Sequence, residues 1–319
     1  MGDSISRRRF NQIVVSGSAM ALAAARGGSA AAGPGRYPIR LGGPVAVEGN
    51  DPAAWVEAHR KAGYGAALCP VGPEASDAEA AAFRTAAEKS GLVIAEVGAW
   101  SNPMAPEEDE RRKALEKCRA SLALADRIGA RCCVNIAGSR GKAWDGPDPA
   151  NLTRETFDLI VETTRSIIDA VKPSGAFYTL ETMPWMFPDS PDSYLRLIKA
   201  IDRKSFAGHL DPVNLVCSPQ LYFKNGDLIR DCFRKLGPFI KACHAKDIIL
   251  REKLTTHLDE VRPGLGGLDY AAYLGELSRL PASPALIIEH LTAEEEYKLA
   301  AEHIRSVGKQ IGVSFIGQG

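Results

Sequence analysis

The run Pro238-Phe239-Ile240-Lys241-Ala242-Cys243-His244-Ala245-Lys246-Asp247 is mostly apolar and ends in a histidine, a lysine and an aspartate before the chain turns polar. It reads as a buried strand with chemistry at its end. A lone histidine at a strand end is more often structural, but here three other strand-like runs end in the same way. Phe177-Tyr178-Thr179-Leu180 runs into Glu181, Ala207-Gly208-His209-Leu210 into Asp211, and Ala285-Leu286-Ile287-Ile288 into Glu289.

Outward from these runs, the chain alternates short apolar segments with longer helix-like ones. Strands are expected at 39–43, 66–70, 92–97, 132–137, 177–181, 207–211, 239–244 and 286–289. Helices are expected at 51–61, 76–90, 106–128, 153–171, 190–201, 227–236, 269–280 and 293–311. Asp51-Pro52 supplies an N-cap and a first-turn proline, and Gly91 and Gly129 stand where helices should stop. The strands are apolar almost throughout, as strands covered on both faces must be. About eight alternations predict a (β/α)8 TIM barrel. A doubly wound open sheet is the alternative, and it is disfavoured because no Gly-x-Gly-x-x-Gly opens the first helix. The longer interruptions at 138–152, 212–226 and 248–267 follow strands four, six and seven, which places them on the C-terminal rim where barrel sites are built.

Residues 1–36 differ in kind. Ser6-Arg7-Arg8-Arg9-Phe10, an apolar run from 13 to 25 and a small-residue tract ending in Ala30-Ala31-Ala32 resemble a twin-arginine export signal. The expected organisation is therefore a leader over 1–36 and one barrel domain over 37–319. Periplasmic or exported localisation follows, with the twin-arginine export machinery as a partner and no membrane association after export. Thirty-nine basic residues balance 39 acidic ones, so there is no global field for phosphate backbones and no nucleic-acid partner is expected. Homo-oligomerisation stays open. Seven cysteines without a Cys-x-x-Cys pair read as small core hydrophobes.

Glu181, Asp211, His244 and Glu289 thus fall at one depth on consecutive strands. Three carboxylates and one imidazole suit a single divalent ion, Mn2+ first, with Mg2+ or Co2+ as alternatives, better than a sulfur-bound structural zinc.

This pattern resembles the metal site of the xylose-isomerase-like barrels, a group that includes ketose 3-epimerases, inosose dehydratase-like proteins and endonuclease IV. Further likenesses are Trp100-Ser101-Asn102-Pro103, His209-Leu210-Asp211-Pro212-Val213-Asn214, and Pro263-Gly264-Leu265-Gly266-Gly267-Leu268-Asp269-Tyr270. The resemblance covers essentially 39–312. It implies that Glu181 and Glu289 are both ligands and acid/base partners, with Asp211 and His244 as ligands only. The implied activity is a divalent-metal-dependent sugar isomerase or epimerase, acting through an enediolate on an unphosphorylated sugar or keto-sugar. The alternatives are a metal-dependent lyase acting on 3-keto-glycosides or inososes, and a non-catalytic sugar-binding barrel. Cys69-Pro70 and Ala99-Trp100 depart from the histidines of the endonuclease group, which argues against a zinc cluster. Asn214 replaces a histidine of the epimerases. Candidate substrate contacts are Arg262, Lys246, Asn214, Trp100, Asn102 and Trp185, with Trp144 beside them on the rim. Lys246 has an ion pair with Asp247 as its bland alternative. Asn135 is a weaker donor, and His209 and His257 are expected to be structural or to support the site.

Overall fold

The computed structural model describes residues 36–317. The expected leader lies outside the described residues, apart from Arg36. Among these residues ten strands and nine α-helices follow in order: β1 Arg40–Gly42, α1 Pro52–Lys61, β2 Ala66–Leu68, α2 Asp77–Ser90, β3 Val93–Gly98, α3 Glu108–Ile128, β4 Cys132–Asn135 and α4 Arg154–Val171. Then come β5 Phe177–Glu181, α5 Pro191–Ile201, β6 Phe206–Leu210, α6 Pro219–Phe223, α7 Asn225–Leu236, β7 Ile240–Ala245, β8 Asp247–Arg251, β9 His257–Val261, α8 Tyr270–Leu277, β10 Ala285–Ile288 and α9 Glu294–Gln310.

Eight of the strands close into a parallel barrel in the order β1-β10-β7-β6-β5-β4-β3-β2. This is the TIM barrel expected from the alternation, and each strand lies beside its predecessor as short right-handed crossovers demand. Local chemistry sets several boundaries. Asp51 accepts from the Ala53 and Ala54 amides at 3.0 and 3.2 Å to cap α1. Gly129 ends α3 with φ of 76°, a conformation that costs a side-chain-bearing residue more.

Period-two alternation explains how apolar strands carry a polar site. Phe206, Leu210, Cys243, Ala245, Leu286 and Ile288 pack into the core shared with the helices. The intervening residues Ala207-His209-Asp211, Ala242-His244-Lys246 and Ala285-Ile287-Glu289 face the barrel interior or its mouth. Ala285 and Ile287 meet Ala66 and Ala95 there in a separate cluster. Small residues therefore fill the lower barrel, and polar ones gather at the upper end.

The segment 248–267, read as an interruption, contains an antiparallel hairpin. β8 pairs with β9 from Asp247↔Val261 to Arg251↔His257, and an Arg251–Asp259 ion pair of 2.9 Å crosses it. Its strands carry charges on the exposed face, which masks the alternation of a half-buried ribbon. All seven cysteines are free. No helix among the described residues is long and apolar enough to cross a membrane.

Candidate metal centre and cavity

Strand ends at the barrel mouth are fastened from outside. Tyr273 on α8 donates its hydroxyl to the His244 carbonyl at 2.9 Å, and Tyr270 donates to the Lys246 carbonyl at 2.8 Å. Tyr194 on α5 donates to the Leu180 carbonyl and accepts the His209 amide at 2.9 Å. The Thr182 hydroxyl donates to the Asp211 carbonyl at 2.7 Å and accepts the Asp211 amide at 3.0 Å, locking the ends of β5 and β6 together. These bonds fix backbone that would otherwise fray where the ladder stops.

On that frame Glu181, Asp211, His244 and Glu289 each offer one ligand atom, all within 4.8 Å of one another. Glu181, Asp211 and His244 are buried and Glu289 nearly so. His244 Nδ1 lies 3.0 Å from Glu181 Oε1 and 2.8 Å from Glu289 Oε1. Register explains the level. His244 pairs with Ile287, and Glu181 pairs with His209, so Asp211 and Glu289 stand one step beyond their strands.

Two observations fit a cation here. Asp211 Oδ2 and Glu289 Oε1 are buried and make no well-formed hydrogen bond, although Lys246 Nζ approaches them at 2.9 and 2.7 Å. The interior also holds Glu96, Glu181, Asp211 and Glu289 against the ammonium of Lys246 and the imidazole of His244. An excess of buried carboxylate costs several kcal/mol per unpaired charge, on the order given by ion desolvation, and a divalent ion offsets it.

The electrostatics reflect this crowding. For His244 burial is the largest influence and disfavours charge, yet Glu289, Glu96 and Glu181 together hold its imidazole well above the usual range. Lys246 is likewise disfavoured by burial, but Asp211, Glu181, Glu289 and Glu260 outweigh this and raise it. The two glutamates diverge. Burial raises Glu181, whereas in Glu289 burial is outweighed by His244, Lys246 and His290, which lower it. Both face the same imidazole, so the divergence belongs to the pair as a unit.

Beneath these groups lies a residue the sequence did not single out. Glu96 on β3 accepts from His244 Nε2 at 3.1 Å through Oε1 and from His209 Nε2 at 2.8 Å through Oε2. The two rings meet edge to face with centroids 4.2 Å apart. A carboxylate on Nε2 keeps a proton there, so that when a cation displaces the Nδ1 proton it is the Nδ1 lone pair that faces the acidic cluster, the arrangement a metal-ligating histidine needs. His209 is thereby a support, as expected. The only sequence signal for Glu96 was a charge inside an otherwise apolar strand.

Above the cluster opens a cavity of about 390 Å³. Its walls include Trp100, Trp144, Trp185, Asn214 and Lys246 from the expected set, and also Glu260 from the hairpin and His290 after β10, neither of which had been singled out. Asn214 Nδ2 donates to Glu181 Oε1 at 3.3 Å and to the Thr182 carbonyl at 3.1 Å. Lys246 is not paired with Asp247. Its ammonium lies among Asp211, Glu289 and, at 3.6 Å, Glu260. Asp247 instead accepts from the backbone amides of Ile248, Gly264, Gly266 and Leu268 at 2.8–3.1 Å. Gly266 is required for that approach, since a Cβ there would sit 2.4 Å from Asp247 Oδ1. The Pro263–Asp269 motif is thus an anchor for the hairpin.

Three expected contacts lie elsewhere. Arg262 is drawn away by Glu296 of α9, at 2.8 Å, and does not line the cavity. Asn102 donates to the Ser139 carbonyl at 2.8 Å and accepts the Met104 amide at 3.0 Å, holding one rim loop to another. Asn135 is buried, taking the Ser101 amide at 3.1 Å. Each is a loop or strand-end polar residue whose partner, far off in sequence, could not be read from its neighbours.

A closed eight-stranded parallel barrel with carboxylates and an imidazole converging at its C-terminal mouth defines a TIM barrel with a metal-capable centre. The chain belongs to the xylose isomerase-like TIM barrel family, whose model matches residues 56–307. No curated protein sequence matches it. Among solved structures it is similar to a xylose isomerase-like TIM barrel protein from Mycobacterium smegmatis in complex with magnesium, at 18% identity and a TM-score of 0.59, covering 86% of this chain and 96% of that one. It is also similar to 3-keto-D-glucoside 4-epimerase from E. coli, at 13% identity and a TM-score of 0.60, covering 84% and 99%. A third is the probable 3-DHS dehydratase from Bacillus anthracis, at 16% identity, TM-score 0.60, covering 84% and 98%. At these identities the likenesses speak for the fold.

Proposed function

We propose that the protein is a divalent-metal-dependent isomerase or epimerase that moves a proton on the carbon next to a carbonyl of an unphosphorylated sugar or keto-sugar. The observation that carries this reading is the convergence of Glu181, Asp211, His244 and Glu289 at the floor of a cavity that two of these carboxylates also line. The proposed ion, Mn2+ or a similar hard cation, would be held by those four residues and would supply Lewis acidity toward a carbonyl oxygen. Glu181 and Glu289 come from strands on either side of His244 and act as the acid/base pair. One removes the proton and the other returns it, each within 3.0 Å of the same imidazole at the cavity floor. Lys246 steadies negative charge that develops on a substrate oxygen. Asn214 holds Glu181 and shapes the wall.

Two proteins of similar fold are a 3-keto-D-glucoside 4-epimerase and a probable 3-DHS dehydratase. An exported setting, as the leader implies, would favour unphosphorylated substrates.

The test is deuterium uptake from heavy water into a panel of keto-sugars, with protein loaded with Mn2+, Mg2+ or Co2+. Metal-dependent exchange that Glu289→Gln abolishes is expected. Exchange accompanied by loss of a leaving group would move the assignment to a lyase. Turnover that survives in Glu289→Gln or after complete metal removal would refute the assigned chemistry.

A further inference from the structure

We infer that the cavity contains an aromatic subsite beside the carboxylate centre, and that its substrate is a glycoside. The keto-sugar unit would sit at the carboxylates, and a second flat-faced group, a pyranose ring or an aryl aglycone, would lie against the indoles. This rests on the proton-transfer reading above for the role of the first ring.

The chain has four tryptophans. Trp55 is buried in the core, while Trp100, Trp144 and Trp185 are 36%, 41% and 39% exposed, and all three line the one cavity. Exposed indoles scattered singly would need no explanation, but three converging from separate loops after β3, β4 and β5 form an apolar wall kept open to solvent. Glu181, Asn214, Lys246, Glu260 and Glu289 line the same cavity, so its lining is both polar and aromatic. Such a mixed lining matches a sugar, whose hydroxyl edges bond to polar groups while its C–H faces stack on rings.

The Trp185 indole and the backbone of the other two tryptophans are held in place by the protein itself. Trp185 Nε1 donates to the Asp145 carbonyl at 2.7 Å, which joins its loop to the residue following Trp144. The Trp144 carbonyl accepts the Ser139 amide at 3.0 Å, and the Trp100 carbonyl accepts from Lys117 Nζ at 3.0 Å. Gly98 leaves space for the Trp100 indole, because a Cβ at that position would lie 2.4 Å from its Nε1. Trp100 is close to the centre, with its ring centroid 6.4 Å from that of His244. The pair tied through Asp145 provides a further aromatic surface. A single ring bound at the carboxylates would use Trp100 and leave that surface bare, whereas a cavity of about 390 Å³ falls in the range that encloses larger ligands. Aromatic anchors fixed beforehand lower the ordering cost of binding.

The experiment compares a keto-monosaccharide with its p-nitrophenyl glycoside and a keto-disaccharide on the metal-loaded full chain. Binding is followed by tryptophan fluorescence, and turnover by deuterium exchange. The expected result is a Kd and KM at least tenfold lower for the two-ring compounds. Trp144→Ala should raise the KM for them by tenfold or more and that for the monosaccharide much less, with kcat little changed. Trp185→Phe, which keeps a smaller aromatic face while losing the bond to Asp145, should retain part of the preference and guards against misfolding of the alanine variant. A preference for the aryl compound alone identifies the flat group as an aglycone, and one shared by the disaccharide identifies it as a second sugar. Equal Kd for one-ring and two-ring compounds, or equal losses on both in Trp144→Ala, would overturn the subsite while leaving proton transfer standing. Tight glycoside binding without any exchange would do the reverse.

Discussion

Replacing Glu96 with glutamine should cripple metal binding without touching any proposed ligand. The carboxylate accepts from two imidazoles at once, at 2.8 Å from His209 and 3.1 Å from His244. A glutamine has one acceptor oxygen and one NH2, so it can accept from only one of them and must donate to the other. If it donates to His244 Nε2, the imidazole proton is driven to Nδ1, where it points at Glu181 and Glu289 and blocks ligation. If it donates to His209, that fully buried ring must move its own proton to Nδ1, a nitrogen with no hydrogen-bond partner. Loss of such a supporting partner weakens metal affinity roughly 10- to 100-fold, or about 1.4–2.7 kcal/mol. Competition with a calibrated chelator for Mn2+ measures the affinity, and ¹⁵N shifts of the Mg2+-loaded protein report which His244 nitrogen keeps its proton. The pH dependence provides a second check. In Glu96 burial opposes charge most strongly, but His244 and His209 outweigh it and lower the carboxyl from 4.5 to about 2. A group lowered on folding contributes stability that is present above its unfolded value and lost as pH falls through the folded one. Metal-free wild type should therefore lose up to about 3 kcal/mol between pH 4.5 and 2 that Glu96→Gln does not lose. Unchanged Mn2+ affinity with an unshifted His244 tautomer would refute the proposed support.

Two further outcomes follow from groups outside the centre. Asp247→Asn sets an amide NH2 against backbone donors and should cost about 2–4 kcal/mol, seen as a lower Tm and faster amide exchange at Gly264, Gly266 and Leu268; unaltered protection there would remove Asp247 as the anchor. Burial lowers the His59 imidazole below its usual 6.5 against the opposing bond to the Trp55 carbonyl. Its contribution to stability is thus complete above pH 6.5 and declines as pH falls through the folded value, and His59→Phe should flatten that decline in thermal melts; identical slopes would show that His59 plays no part.

Much of the barrel was legible because helix caps and apolar runs are local signals. Asp51 and Gly129 act as their residue types predict, and four of the strands deliver their terminal polar residues to one level. Glu96 was not legible because its meaning depends on His209 and His244, far along the chain and across the barrel. The same reason removed Arg262 from the cavity: a loop arginine before Pro-Gly looks free until Glu296 of α9 is beside it. The hairpin, and Glu260 with it, is not legible in the sequence because its charged face hides the alternation. Lys246 and Asp247, adjacent in sequence, point to opposite sides of the strand end, so adjacency suggested a pair where the backbone forbids one.

The bond between Glu96 and His244 spans 148 residues. The four proposed ligands all come from the second half of the chain, and Glu96 is what the first half adds to them. A C-terminal fragment could collapse its strands together and still present His244 in the wrong protonation state. Competence would then arrive late in folding, when the ring of strands closes, and metal uptake would serve as a clock for the last long-range contact.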